Sequence, residues 1–349
     1  MSNMYSQRYA SIVMLCLLLA GCDNSASPLQ INMGGIPSPG GASTGQAFTC
    51  KHEIILGPEA EADVLFRYAR WLQVNNQLKQ KEEVDTEVGR LYRIAAENGH
   101  AKATINLQNG SLRGHFGLTA SERRRFSQQL IDAGVASGYY FIAIYLQHGA
   151  AGLKQDEDMA LRYYRKAADE GSALAQAYVG DKLEPVDIAP DVAKQMLLCA
   201  AEQGNGEAAL SLGIGLKINK KYSEALHAFQ LGVAAGNSNS ASFLRNGFSG
   251  PEPIDRLYYL GQQIDPERAR RYKAIWKILS GYSYAHPTIP EINDIVPLPP
   301  APLPEWDGKL KWVEAREANI PPEKPGEALI ARLAKKKHLD QVTGRPQTH

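Results

Sequence analysis

The stretch that decides the fold runs from Tyr163 to Gly180 and reads YYRKAADEGSALAQAYVG. Two alanines precede an acidic pair and a glycine, and a second run of spaced alanines begins directly afterwards. Glycine readily adopts the left-handed backbone conformation that other residues resist, so it often closes a helix. The stretch therefore predicts a helical hairpin whose first helix ends at Gly171.

The same pattern recurs along the chain. Similar segments end at Gly99, Gly138, Gly204 and Gly236, so that successive closures, with Gly171 included, lie 39, 33, 33 and 32 residues apart. A single helical pair cannot bury both of its faces, so repeated pairs must stack on one another. Because strand signals are scarce, the sequence predicts an all-α array of stacked helix pairs.

The best-formed unit reads GLKQDEDMALRYYRKAADEGSALAQAYVG, and it resembles a Sel1-like repeat, a relative of the tetratricopeptide repeat. The residues that carry the match are Gly152, Asp156, Ala160, Tyr163, Tyr164, Lys166, Ala167, Ala168 and Gly171. The resemblance extends over roughly Pro58 to Phe248. It implies a right-handed α-solenoid whose first helices line a concave face.

The N-terminal residues read MSNMYSQRYASIVMLCLLLAGC, with a short apolar run from Ile12 to Ala20. That run is too short for a permanent membrane span. LAGC resembles the lipobox of bacterial lipoproteins, which implies removal of residues 1–21 and lipidation of Cys22. An ordinary secretory signal with a chance cysteine is the alternative. The resemblance implies a lipoprotein of the cell envelope that faces the periplasm, and Asp23 slightly favours the inner membrane.

Residues 22–48 are low in charge and rich in Ser, Gly and Pro, which is typical of a flexible tether. Two cysteines remain after the signal peptide and Cys22 are set aside, namely Cys50 and Cys199. In an oxidising periplasm these two can form a disulfide, although Cys199 would equally suit a small buried position in a helix. Neither cysteine has the spacing of a metal site.

The remaining boundaries follow from composition. Residues 49–249 are predicted to form the solenoid, residues 250–325 a C-terminal capping region, and residues 326–349 a helical or frayed tail. Seven prolines between Pro287 and Pro304 exclude a long helix or a central strand. We expect an extended strap on the last helices; a docking peptide, PLPPAPLP, is the alternative. The region resembles an uncharacterised segment found behind Sel1-like repeats in bacterial lipoproteins.

Composition and motifs argue against several classes of function. A formal net charge of +1 gives no electrostatic reason to expect nucleic-acid binding. The sequence contains no HExxH metal motif, no GxSxG elbow and no phosphate-binding loop. We therefore predict a binding protein that is not an enzyme and holds no cofactor or metal. A hydrolase using His286 or Asp294 is the remaining enzymatic alternative.

Lipoproteins with Sel1-like repeats recur as immunity partners of type VI secretion phospholipase effectors. The resemblance thus implies a lipid-anchored monomer that binds and neutralises a secreted phospholipase or lipase toxin. The alternative is an envelope adaptor or signalling regulator that binds an endogenous membrane or cell-wall enzyme. The predicted contact residues, placed on first helices, are Tyr139, Tyr140, Tyr145, Gln147 and Tyr178.

Overall fold

The computed structural model describes residues 47–185 and 188–347. The predicted signal peptide, Cys22 and the tether up to residue 46 lie outside the described residues. Consecutive helices form the repeat region: α1 (Ala60–Asn76), α2 (Glu82–Glu97), α3 (Ala101–Leu112), α4 (Ala120–Asp132), α5 (Ser137–His148), α6 (Glu157–Asp169), α7 (Ala173–Leu183), α8 (Pro190–Glu202), α9 (Gly206–Ile218), α10 (Tyr222–Ala234) and α11 (Ser238–Phe248).

The C-terminal region continues with α12 (Pro266–Gly281), a 3-10 turn (Ser283–Ala285), α13 (Ile292–Ile295), α14 (Lys311–Ala318) and α15 (Glu327–Lys336). Within the described residues there is no β-strand, and Leu339 and Pro346 form an isolated bridge. No described helix combines the length and the apolar character that crossing a membrane would require. The predicted all-α solenoid with a proline-rich cap is therefore confirmed.

Five hairpins share one closure, in which a glycine has positive φ. The glycines and their φ values are Gly99 (84°), Gly134 (71°), Gly171 (111°), Gly204 (86°) and Gly236 (90°). In each hairpin the glycine N–H donates to the carbonyl three residues earlier, and the next N–H donates to the carbonyl five residues before it. These bonds satisfy carbonyls that the helix end leaves free, so the repeated glycine fixes each turn.

The prediction was wrong at Gly138, which lies inside α5 and does not close a hairpin. Gly134 supplies the left-handed residue instead, so the closures lie 35, 37, 33 and 32 residues apart. Gly138 allows close packing, because a Cβ there would come within 2.6 Å of the Ser127 carbonyl oxygen. Gly134 therefore provides the left-handed backbone of the turn, whereas Gly138, four residues later, allows the helices to pack closely.

Most second helices carry their own N-cap. The capping side chains of α3, α7, α9 and α11, each accepting an N–H three residues later, are His100, Ser172, Asn205 and Asn237. Helix α5 has no such side chain of its own. Glu53 supplies it, since its carboxylate accepts the Ser137 N–H at 2.5 Å and the Ser137 hydroxyl at 3.0 Å. A residue from before α1 therefore stabilises the start of α5.

The core of the N-terminal end combines the two ends of the chain. Helices α1 to α4 bury Leu65, Leu91 and Phe126, and α15 packs its Ile330 and Leu333 into the same cluster. Asn319, which follows α14, accepts the Trp71 indole N–H at 3.0 Å. The segment predicted as a helical or frayed tail is therefore a helix that covers α1 and α2.

The core of the other end joins α8 to α12 with the proline-rich segment. Residues 287–304, called here the C-terminal strap, bury Ile289, Ile292 and Val296 in this cluster. The Ile289 N–H donates to the Ala234 carbonyl at 2.9 Å, which attaches the strap to the end of α10. Besides the short helix α13, turns at 290–291 and 299–300 interrupt the strap, so only parts of it are extended as predicted. It lies on the last repeat helices, where its apolar residues replace a further repeat.

Candidate functional site

The predicted tyrosine surface is a chain of ring contacts across α5, α6 and α7. The Tyr139 and Tyr163 centroids are 6.4 Å apart, and Tyr140 meets Tyr164 edge-on at 5.7 Å. Tyr164 stacks on Tyr178 at 4.0 Å. Aromatic pairs at these separations stabilise packing, so much of this surface holds neighbouring helices together.

Gln147 connects the same rings by hydrogen bonds. Its Oε1 accepts the Tyr164 hydroxyl at 2.6 Å, and its Nε2 donates to the Tyr178 hydroxyl at 3.4 Å. Burial raises the pKa of Tyr163 to about 12 and also raises the pKa of Tyr164. Both phenols therefore stay neutral near pH 7, and the Tyr164 hydroxyl keeps the proton that it donates to Gln147.

Tyr145 is a correction to the predicted contact surface. Its side chain is fully buried, and its hydroxyl donates to Gln108 Oε1 at 2.8 Å inside the repeat core. Helices α5 and α7 also follow glycine closures, so they are second helices of their hairpins and not first helices as expected. Four half-exposed residues of the predicted set remain available to a partner: Tyr139, Tyr140, Gln147 and Tyr178.

The residues before α1 form an extended strap across three hairpins. In this N-terminal strap, residues 47–55, the Ala47 carbonyl accepts from Arg165 at 2.9 Å and the Lys51 carbonyl accepts from Gln176 at 2.9 Å. The Glu53 N–H donates to Gln203 Oε1 at 2.9 Å. Main-chain hydrogen bonds therefore hold the strap to residues of α6, α7 and the end of α8.

A disulfide joins the N-terminal strap to α8. Cys50 and Cys199 are bonded across a sequence separation of 149 residues. His52 lies close to both sulfur atoms, and within the described residues this is the group that comes nearest to a metal-ligand cluster. Because the two sulfurs are bonded to each other, they are not free thiolates for a metal.

Three adjoining cavities form a groove between α1, α3, the starts of the second helices and the C-terminal region. Their volumes are about 410, 390 and 420 Å³. The first and second share Arg70 and Asn106, the second and third share Leu174, and the first and third share His286. These cavities together are called here the polar groove. The C-terminal region lines the first and third of these cavities, through residues such as His286.

The charges in the polar groove come from separate parts of the chain. Arg70 lies on α1, Lys102 on α3, and Arg113 directly after α3, and all three side chains are exposed. His286 reaches the groove from the C-terminal region, where its backbone has a positive φ of 50°. Asp294, the other residue of the hydrolase alternative, is an exposed residue of α13 and does not line the groove.

Comparison with known proteins gives one family match and several structural matches. The model described as Domain of unknown function (DUF6396) matches residues 240–347, which is about a third of the chain. No curated protein matches the chain. The family match begins in α11 and runs through the C-terminal strap to α15, so it includes the C-terminal residues that line the groove.

Solved structures from Pseudomonas aeruginosa share the fold over most of their length. Protein 5086 (PA5086) is 26% identical with a TM-score of 0.53, covering 74% of this chain and 96% of its own. Immunity protein Pa5087 is 23% identical with a TM-score of 0.56, covering 73% and 96%. Immunity protein PA5088 is 24% identical with a TM-score of 0.55, covering 73% and 95%. The chain is thus an α-solenoid of helical hairpins with the fold of these three proteins.

Proposed function

We propose that the chain is a lipid-anchored periplasmic immunity protein that binds and neutralises a type VI secretion phospholipase or lipase effector. The observation that carries the proposal is the fold shared with the immunity proteins Pa5087 and PA5088, over at least 95% of their chains. The repeat array adds physical support, since stacked helix pairs offer a long surface suited to gripping another protein.

In this proposal the N-terminus sets where the protein acts. Lipidation of Cys22 anchors the body to the envelope, with Asp23 favouring the inner membrane. The predicted tether, residues 22–48, connects this anchor to the repeat array, and its last two residues belong to the N-terminal strap. The disulfide between Cys50 and Cys199 then links the N-terminal strap covalently to α8 of the repeat array. An immunity protein placed beside the membrane meets the effector where its lipid substrates lie.

In this proposal the protein neutralises the effector by binding to it and catalyses no reaction itself. A stable interface between proteins usually buries more than about 1,000 Å² and owes its affinity to slow dissociation. Among the described residues, the half-exposed rings of Tyr139, Tyr140 and Tyr178 form one candidate surface for this contact, and the polar groove forms another. Tyrosine is enriched among the residues that dominate binding energy, so the ring edges suit an apolar contact at the interface.

The test is a deletion strain exposed to the product of the neighbouring gene. We expect that deletion sensitises cells when this product is directed to the periplasm, and that the wild-type gene restores survival. A Cys22→Ala variant should restore survival poorly because its product is not anchored. Survival of the deletion strain, together with copurification of a housekeeping envelope enzyme, would contradict immunity and assign an adaptor instead.

A further inference from the structure

Four side chains with metal-binding atoms meet where the N-terminal strap crosses α8. Cys50 and His52 belong to the strap, and Cys199 and Glu202 belong to α8. The ligating atoms of Cys50, His52 and Cys199 all lie within 4.8 Å of one another. The Glu202 carboxylate joins them, since it lies 3.9 Å from His52 Nε2. The disulfide is therefore one half of a cluster of four ligating groups.

The backbone of each segment explains why these side chains face one another. Cys50 and His52 are two residues apart on an extended segment, and side chains at that spacing point to the same side. Cys199 and Glu202 are three residues apart on a helix, which also places them on one face. Because the two cysteines are 149 residues apart in sequence, no local spacing reveals the cluster.

Hydrogen bonds on both sides of His52 hold the strap independently of the disulfide. The Lys51 carbonyl accepts from Gln176, and the Glu53 N–H donates to Gln203 Oε1, each at 2.9 Å. These bonds do not involve the cysteine side chains, so they remain when the S–S bond is cleaved. Reduction would therefore leave the strap beside α8, with its ligating groups still facing the helix.

The donor atoms of the cluster are those that Zn²⁺ binds in proteins. Zinc takes thiolate, imidazole and carboxylate ligands in tetrahedral geometry, and a pair of thiolates disfavours Mg²⁺ and Ca²⁺. Zinc–sulfur bonds are about 2.3 Å long, so one ion bridges sulfurs up to about 4.6 Å apart. The Cα atoms of Cys50 and Cys199 are 5.6 Å apart, and rotation of the two side chains suffices to reach such positions.

We propose that the reduced chain binds one Zn²⁺ ion at the crossing of the N-terminal strap and α8. Its four ligands are Cys50, His52, Cys199 and Glu202. Zinc and the disulfide are then alternative attachments of the strap, and either one keeps Glu53 in place to cap α5. The inference does not depend on the proposed function.

The two states interconvert by thiol–disulfide exchange. Cysteines enter the chain as thiols, so every molecule has the reduced state before its disulfide forms. A dithiol reductant regenerates that state: the reductant is oxidised to its own disulfide, and the S–S bond of the protein becomes two thiols. Zn²⁺ then replaces the two thiol protons, which are released to the solvent.

The test uses Co²⁺ as a spectroscopic probe of the full-length protein. All samples carry Cys16→Ser and Cys22→Ser, so that two of the four cysteines, Cys50 and Cys199, remain. Tetrahedral Co²⁺ with thiolate ligands gives intense visible bands and a sulfur charge-transfer band. The protein is titrated oxidised and after reduction by a phosphine, because a dithiol would compete for the metal. We expect the reduced form to bind one Co²⁺ that Zn²⁺ displaces, and the oxidised form to show neither band.

Two ligand variants and a matched control separate this site from metal binding by free thiols. His52→Ala and Glu202→Gln each leave both cysteines in place, so circular dichroism of the oxidised forms establishes that they are folded. Each should weaken Zn²⁺ binding by more than the roughly 10–100-fold that loss of an outer partner of a metal ligand costs. His227→Ala is the control, because this exposed histidine of α10 lies outside the cluster, and it should bind zinc as the wild type does.

Thermal unfolding provides a second readout. A metal that binds only the folded chain raises its stability. Zn²⁺ should therefore raise the melting temperature of the reduced wild type and of reduced His227→Ala. It should raise that of reduced His52→Ala less, and it should leave the oxidised wild type unchanged.

Other outcomes would overturn the inference. Equal Co²⁺ binding by the oxidised form would mean a site without thiolates. Ligand variants that bind zinc as tightly as the control would mean that free thiols alone bind the metal. Zinc binding without a gain in melting temperature would mean that the ion does not attach the strap. These measurements do not involve an effector, so the deletion experiment and this one can fail separately.

Discussion

Each of the two straps lies across a hairpin closure, but different forces hold them there. The N-terminal strap crosses the closure at Gly171, and the C-terminal strap crosses the closure at Gly236, where a Cβ would meet the Pro287 carbonyl oxygen at 1.9 Å. A disulfide and polar hydrogen bonds hold the first strap. Burial of Ile289 and its neighbours holds the second. A closure without a side chain thus accepts an extended segment whichever force attaches it.

The largest expected effect comes from removing the covalent attachment of the N-terminal strap. A bond that closes a loop of 149 residues restricts the unfolded chain, so Cys50→Ala with Cys199→Ala should lower the free energy of unfolding by about 5 kcal/mol. Urea unfolding followed by circular dichroism measures the change. Wild-type protein in a reductant serves as the control and should lose a similar amount. A loss below about 1 kcal/mol would show that the polar contacts alone hold this strap.

The C-terminal strap should be most sensitive at Ile289, whose side chain is fully buried. Ile289→Ala removes buried methyl and methylene groups and leaves a cavity, so we expect a loss of about 3 kcal/mol in the free energy of unfolding. Ile254→Ala is the matched control, because that side chain is 88% exposed and its truncation should change stability by less than about 0.5 kcal/mol. Equal effects of the two substitutions would refute burial as the force on this strap.

A pair of closure glycines separates backbone strain from strap displacement. Gly204→Ala should cost about 1 kcal/mol, because φ is 86° but a Cβ meets nothing within 4 Å. Gly236→Ala has nearly the same φ, 90°, and must also push Pro287 away, so we expect a further loss of about 1–3 kcal/mol. Thermal and urea unfolding measure both. If the two variants are equally stable, the strap does not lie tightly on its closure.

The smallest expected effect concerns the charges beside the N-terminal strap. A hydrogen bond from Lys166, assisted by the charge of Lys51 at 3.6 Å, lowers the pKa of Glu170 despite an opposing effect of burial. The stability this gives is present above the ordinary glutamate pKa and is lost as pH falls through the lowered value. Because these side chains are largely exposed, we expect Lys51→Met to cost less than about 0.5 kcal/mol.

The measurement for this last prediction is the free energy of unfolding between about pH 6 and pH 3. Lys166→Met is the comparison variant, since it removes the main cause of the lowered pKa of Glu170. We expect the acid-induced loss to be flattened more by Lys166→Met than by Lys51→Met. The opposite order would mean that the strap lysine is the principal partner of Glu170.

Local patterns predicted the hairpins well, because alanine spacing and a closing glycine encode a helix end directly. They misplaced one closure, since ASG at 136–138 imitates the alanine-glycine pattern while Gly134 has the left-handed backbone. Tyr145 was assigned to a contact surface because helical spacing does not reveal which face a neighbouring helix covers. Its pairing with Gln108 across the repeat core carries no local sequence signal.

The polar groove could not be predicted at all from the chain order. Arg70 and Lys102 line one cavity from α1 and α3, and His286 of the C-terminal region joins Arg70 at the adjoining one. Likewise, no sequence pattern near α5 predicts that Glu53 caps this helix. Sequence motifs reveal functional residues that lie within one segment. The residues of this groove come from several segments, and only the folded chain brings them together.

The return of α15 to α1 and α2 has a consequence for the order in which the protein can mature. The first helices leave the ribosome with Leu91 and its neighbours uncovered, and their cover is made last. The N-terminal helices therefore cannot bury all of their apolar residues until α15 has been synthesised. A nascent or truncated chain would keep this apolar surface exposed, and chaperones would bind it. Truncations that end before residue 327 remove α15, so they should destabilise the protein more than their distance from the polar groove suggests.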